Sequence, residues 1–317
     1  MHIPDGFVSG QVNLTTAVIS GGGAAYALSR VSKLPVRRLP VLGVTAAFIF
    51  VAQMLNFPIA AGVSGHFLGG FLAAVLLGPW EALLILSVVL TIQSVMFGDG
   101  GLFALGTNVL NMGIVAPLTG LIVYGLLRRA LGEGLWPRRA SLGIAAMGSV
   151  VLASVAACVE LSVTGLVDIR TFFPLMVGVH TVIGMGEAVI TIFLLEAVSV
   201  SVPSLATRLR PTSGPTPARP VAWTVPALFG AAILATPFAS KFPDGLNYLS
   251  EKLGFASSAQ AATHAMMSSY RVPGIQNLGL GALVSAFIGA VIVLVVAWQG
   301  VHLLSLAFPR VGRGGKR

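Results

Sequence analysis

Residues 277–300 read NLGLGALVSAFIGAVIVLVVAWQG, a stretch with no Asp, Glu, Lys or Arg. A helix of that length is about 36 Å long, enough to cross a hydrocarbon core of roughly 30 Å. Apolar on every side, it has no face to offer water, which predicts a membrane span rather than a surface helix. Comparable runs recur at 39–56, 81–97, 105–127, 141–164, 173–200 and 221–239. A weaker run at 11–29 contains Gly21-Gly22-Gly23, and a shorter one covers 66–78. The pattern predicts an all-α polytopic membrane protein with seven helices in 1–200 and two more beyond.

Composition agrees with that class. Of 317 residues, 56% are hydrophobic and 9% charged, and the mean hydropathy is +0.91, values outside the range of ordinary soluble domains. The net charge of +9 suggests nucleic acid only until the basic residues are placed, because they cluster beside apolar runs. One set of alternating connections holds Arg30, Lys33, Arg37, Arg38, Arg128, Arg129, Arg138, Arg139, Arg208, Arg210, Arg219, Arg310, Arg313, Lys316 and Arg317. The other holds Arg170, Lys241, Lys252 and Arg271. That asymmetry predicts a cell (inner, cytoplasmic) membrane protein with its carboxyl terminus in the cytoplasm and, with nine spans, its amino terminus outside. The start lacks the basic region of a cleavable signal and is interrupted by Pro4-Asp5-Gly6, so it is expected to be retained. Cys158, the single cysteine, permits no internal disulfide.

Segment 201–220, SVPSLATRLRPTSGPTPARP, is rich in Pro, Ser, Thr and Arg and reads as a cytoplasmic linker. The expected organisation is a unit at 1–200, that linker, and a two-helix unit at 221–317. No G-x-x-x-x-G-K-[ST] sequence occurs, so any ATP hydrolysis of that type belongs to other chains.

The chain begins MHIPDGF, and the predicted topology places His2 and His66, in AAGVSGHFLGG, on the same outer face. A free amine, the deprotonated His2 amide and His2 Nδ1 can chelate one cation in a plane through fused rings, and His66 would fill the fourth place. Four nitrogens in a plane suit Ni(II) or Cu(II) better than Zn(II), and affinity should fall as pH drops. Taken singly, His2 reads as an exposed tail residue and His66 as a polar helix start, and it is their joint placement on one face that brings the metal reading level. Asp5 forms a turn with Gly6 or orients a ligand's imidazole. Asn108 and Asn111, three apart, support the metal site or bond between helices.

MHIPDGF, FVAQMLNFPIAAGVSGHFLGG, LLGPWEA, FGDGGLFALGTNVLNMG and HTVIGMGEAVIT together resemble the NikM/CbiM family, the substrate-binding S components of energy-coupling-factor (ECF) nickel and cobalt transporters. KFPDGLNYL resembles the small NikN/CbiN partner, with its PDGLE-type motif, although Asn247 stands where that motif has Glu. The resemblance implies an S-component bundle with an extra amino-terminal helix. It implies metal held by the Met1 amine, the His2 backbone and side chain, and His66, and a site carried inward by toppling of the subunit. It further implies a transmembrane coupling T component (NikQ/CbiQ-like) and a cytoplasmic ATPase (NikO/CbiO-like). MHIPDG leans toward nickel. The ion is cargo, Ni(II) or Co(II), and no cofactor is expected.

Other polar residues carry two readings each. His180 and Glu187, seven apart on one helical face, line an ion path or bond to neighbouring helices. Asp99 in FGDGG stabilises a turn, and His264 is a solvated loop residue or a metal scavenger. Rival classes are a membrane metalloenzyme, which needs an open coordination place beside a general base, and an assembly scaffold with an inert terminus.

Overall fold

The computed structural model describes residues 1–32, 34–35, 38–60, 62–201 and 224–307. Helix α1 runs Gly10–Val31, capped by Ser9, whose side chain accepts from the Val12 N–H, a partner for one of the donors every helix start leaves free. Helix α2 spans Leu39–Met54 with Pro40 in its first turn. The chain then makes a short antiparallel hairpin, β1 Phe57–Ala60 and β2 Val63–Gly65, with Gly62 at φ 83° in the turn.

Helix α3 is only Gly70–Leu76. Gly78, at φ 123°, and Pro79 end it and start α4, Pro79–Ile92, because proline is pre-set for a first turn and cannot continue a helix. A π-helical turn, Gln93–Phe97, extends α4 to Gly98. Helix α5, Leu105–Asn108, runs through a second π turn, Val109–Val115, into α6, Ala116–Leu131. Such turns inside helices often mark functional positions. Helix α7 is Leu135–Val163 and α8 is Ile169–Ser201, with Pro174 inside it. Beyond lie α9 Thr224–Ala235, a short α10 Gly245–Leu253, and α11 Leu278–Ala307.

Among the described residues, five helical stretches are long and apolar enough to cross a membrane: Pro79–Phe97, Leu105–Leu131, Leu135–Val163, Ile169–Ser199 and Leu278–Leu303. Leu39–Met54 and Val225–Phe238 are apolar but shorter. The expected span at 66–78 does not form, and His66 does not open a helix. It follows β2 in an irregular stretch that ends at Gly69, whose φ of 75° starts α3. Gly69 and Gly78, both at positive φ, with Pro79 confine the helix in this region to Gly70–Leu76, and hydropathy alone does not register them. The predicted linker at 201–220 lies, apart from Ser201, outside the described residues.

The carboxyl-terminal unit packs closely onto the rest. Helix α11 lies along α2, with their backbones brought together at glycines. A Cβ on Gly43 would stand 2.8 Å from the Leu294 carbonyl oxygen, and one on Gly289 would overlap the Phe50 ring. This is the close approach that small residues allow. At the end of the bundle away from Met1, Arg138 and Arg139 of α7 pair with Glu196 of α8.

Candidate functional site

The first seven residues are fixed by the bundle. Ile3 N–H donates to Asn108 Oδ1 at 2.8 Å, and its carbonyl accepts from Asn108 Nδ2 at 3.0 Å and Gly101 N at 2.9 Å. The Asp5 carboxylate accepts from the backbone of Leu102 and Ala104, each at 2.9 Å. Asp5 therefore ties the amino-terminal turn to the start of the α5 region and contacts no imidazole. Gly6 has φ 91°, and a Cβ there would overlap the Ser258 carbonyl. Met1, Ile3 and Phe7 are all buried as a result.

This anchoring delivers the Met1 amine to His66 Nε2, with which it is in contact, and to Asp244 Oδ2 at 3.0 Å. His66 Nδ1 lies 3.1 Å from the Phe67 carbonyl. A carbonyl only accepts, so the ring proton sits on Nδ1 and the Nε2 lone pair faces the amine. The His2 and His66 rings stack at 4.9 Å and 18°, and both residues are buried, 7% and 4% exposed.

His2 Nδ1 lies 3.2 Å from Asp99 Oδ1 and Nε2 lies 3.2 Å from the Gln93 side chain. Burial holds His2 below the ordinary 6.5 despite Asp99, so the ring is neutral at pH 7 with one N–H. A carboxylate cannot donate, which places that proton on Nδ1. Burial, followed by the terminal amine and His2, holds His66 well below 6.5. Burial works to raise the Asp244 carboxyl, but the amine and His66 outweigh it and hold it well below the usual carboxylate range.

Glu187 reaches the same place from α8. Its two carboxyl oxygens accept from the backbone N–H groups of Leu68 at 2.8 Å and Gly69 at 2.9 Å, fixing the irregular stretch that carries His66. Gln53 adds a bond to the Leu68 carbonyl at 2.8 Å. His180 Nδ1 donates to Met176 O of its own helix at 2.9 Å. Asn111 donates to Glu160 Oε2 at 2.6 Å, one turn beyond Asn108, and Glu160 is buried at 8% exposure. His264 is an exposed loop residue, and its Nε2 bonds the Ser94 carbonyl at 3.1 Å.

Of the residues singled out from the sequence, Met1, His2 and His66 converge, Asn108 and Asp5 hold the segment bearing them, and Asn111 serves Glu160. Sequence reasoning missed Asp244, Asp99, Gln93 and Tyr270, whose hydroxyl donates to Asp99 Oδ2 at 2.6 Å. One signal was available: Pro-Asp-Gly occurs at both 4–6 and 243–245, and the two turns lie on the same cluster. Among the described residues no group of three or more His, Cys, Asp or Glu side chains is disposed to hold a metal ion. The distinctive donor at this end is the terminal amine.

Comparison with known proteins agrees with this architecture. Residues 2–205 match the model of the CbiM family, described as the cobalt uptake substrate-specific transmembrane region. A relative in Archaeoglobus fulgidus, named as a fused nickel transport protein NikMN, is 30% identical over 311 residues, covering 94% of this chain and 97% of its own. The fused nickel transport protein NikMN of Rhodobacter capsulatus is 35% identical over 233 residues, covering 68% and 66% of the two chains. A crystal structure described as a transition metal transporter superposes with TM-score 0.58 at 29% identity, over 68% of this chain and all of that one. The similarity to the Archaeoglobus fulgidus protein runs through the carboxyl-terminal unit as well as the matched region. This chain belongs to the CbiM family of substrate-specific transmembrane proteins, in the form that carries a fused NikN-type unit.

Proposed function

We propose that this chain is the substrate-binding membrane subunit of an ECF-type importer, capturing Ni(II) or Co(II) outside the cell and delivering it to the cytoplasm. The observation that carries the reading is the buried Met1 amine in contact with His66 Nε2, beneath a stacked His2 ring. A terminal amine is ordinarily solvated, and anchoring it here through Asn108 and Asp5 has a clear use if it is a ligand. The amine, the His2 amide nitrogen, His2 Nδ1 and His66 Nε2 would form a planar nitrogen set suited to Ni(II). His2 Nδ1 would exchange its Asp99 contact for the ion.

The positive-inside pattern supports an outer position for Met1 and a cytoplasmic carboxyl terminus. The absence of a P-loop sequence supports partner ATPases and a transmembrane coupling subunit, with toppling of this subunit carrying the site inward. A planar set of four nitrogens leaves little room for substrate, which disfavours a metalloenzyme, and the anchoring of the terminus disfavours an inert scaffold. The proposed organisation is a metal-binding unit at 1–200, a cytoplasmic linker at 201–220 and a two-helix unit at 221–317. Cobalt is the second reading, because the family's description names that metal.

The test compares protein with a native terminus against protein carrying extra residues before Met1. Converting the amine to an amide should abolish high-affinity Ni(II) and Co(II) binding in equilibrium dialysis while membrane insertion is retained. Undiminished binding would eliminate the proposal, and the ratio of the two native affinities assigns the metal.

A further inference from the structure

The carboxyl-terminal unit places one carboxylate inside the cluster, and that carboxylate is built into position. Asp244 is the N-cap of α10: its Oδ1 accepts from Asn247 N–H at 2.9 Å, which leaves Oδ2 for the Met1 amine. The residues before it are bonded to the strand that leads to His66. Pro243 O accepts from Ser64 N–H at 2.9 Å and Phe242 O accepts from Ser64 Oγ at 2.7 Å. Gly245, directly after it, has no space for a side chain, since a Cβ would stand 2.6 Å from Val179 Cγ1. The Asp244 side chain is 11% exposed.

Separations between donors decide what such a carboxylate does. Two donors adjacent on one first-row divalent ion, with bonds of about 2.1 Å at right angles, stand about 3.0 Å apart, and opposed donors stand about 4.2 Å apart. Asp244 Oδ2 is 3.0 Å from the amine and 3.8 Å from His66 Nε2, the first matching an adjacent pair and the second lying between the two limits. We infer that Asp244 is itself a ligand of the transported ion, an anionic oxygen supplied by the fused unit to nitrogens supplied by the first. This rests on the reading of Met1, His2 and His66 as ligands. It gives the fused unit a direct role in loading, because the site is complete only when residues 242–245 sit on Ser64. A nitrogen set with one carboxylate oxygen also accommodates Co(II), which accepts more than four donors.

The simpler alternative is that Asp244 only pairs with a terminal ammonium, and the two roles have opposite consequences. A ligand strengthens metal binding, whereas an ion pair competes with it, because the amine must release its proton to bind metal. The experiment uses the full chain with a native terminus, Ni(II) and Co(II) as probes, and Asp244→Asn, which keeps the helix cap. Ligation predicts a loss of affinity of at least about tenfold for both ions and an altered visible spectrum of the Co(II) complex. Equal or tighter binding, or an unchanged Co(II) spectrum at saturation, overturns the inference. If Asp244→Asn binds too weakly to saturate, Asp244→Glu decides: recovered binding supports ligation, and failure to recover overturns it. Protein with a blocked amine separates this from the parent reading. Undiminished binding there removes Met1 as a ligand, whereas lost binding there with an unaltered Asp244→Asn spectrum removes Asp244 alone.

Discussion

Inside the helices, hydroxyl groups turn back on their own chain. Thr45 donates to Val41 O at 2.8 Å, Ser87 to Leu83 O at 2.7 Å, Thr119 to Val115 O at 2.6 Å and Thr181 to Val177 O at 2.7 Å. Each partner is one turn away, so these bonds form wherever the helix does. At the Met1 end the partners come from elsewhere: His66 is 65 residues from the amine, Asn108 is 105 from Ile3, and Asp244 is 243 from Met1. At these positions the helices are locally satisfied rods, joined elsewhere by pairs such as Arg138–Glu196 and Asn111–Glu160, whereas the Met1 end is a closure of distant segments. The lesson is that a polar substitution in a span should cost little function, and a substitution at the closure should cost much.

Three measurements press on that contrast. The largest effect belongs to His66→Ala. Removing a direct donor should weaken Ni(II) binding by more than about 100-fold, since outer-sphere partners alone account for 10–100-fold. Calorimetry with native-terminus protein checks this, while an unchanged elution profile in detergent shows that the bundle persists. Near-normal binding would move the site away from the amine.

Next come the residues that hold the closure in place. Asn108→Ala frees the Ile3 backbone, and Glu187→Gln replaces one of two acceptors fixing Leu68 and Gly69. Each should cost about tenfold in Ni(II) affinity, read by equilibrium dialysis, with faster amide exchange at residues 1–7 in the first variant and 66–70 in the second. An effect on affinity without the matching change in exchange would show that these residues do not act by positioning.

The smallest effect is expected from Thr181→Ala, which removes a bond within α8. Stability should change by no more than about 0.5 kcal/mol and metal affinity should stay within twofold of wild type, about 0.4 kcal/mol. A large loss of binding would dissolve the distinction between rods and closure.

Much of the fold was legible in the chain. The charge-free run at 277–300 emerges as part of α11, and 81–97, 105–127, 141–164 and 173–200 fall on long apolar helices. The expected span at 66–78 was misread because an irregular stretch and a short helix can be as apolar as a long one. Gly69, Gly78 and Pro79 were better evidence than its hydropathy. At the site, Met1, His2 and His66 stood out because donor chemistry is written in residue type. Asp99 and Asp244 did not, since an aspartate beside glycine is ordinarily a turn residue, and each also works in that capacity or beside it.

Hydropathy, helix breaks and the distribution of basic residues are sums over neighbouring positions, so the chain alone dictated a polytopic helical protein and named three plausible donors. Which groups meet was settled by packing. Helix α11 lies on α2 through Gly43 and Gly289, while residues 242–245 bond to Ser64 and bring Asp244 to the amine. Closing loops of that length is opposed by chain entropy, and only the buried contacts of the assembled bundle offset it. That is why no local pattern announces the meeting.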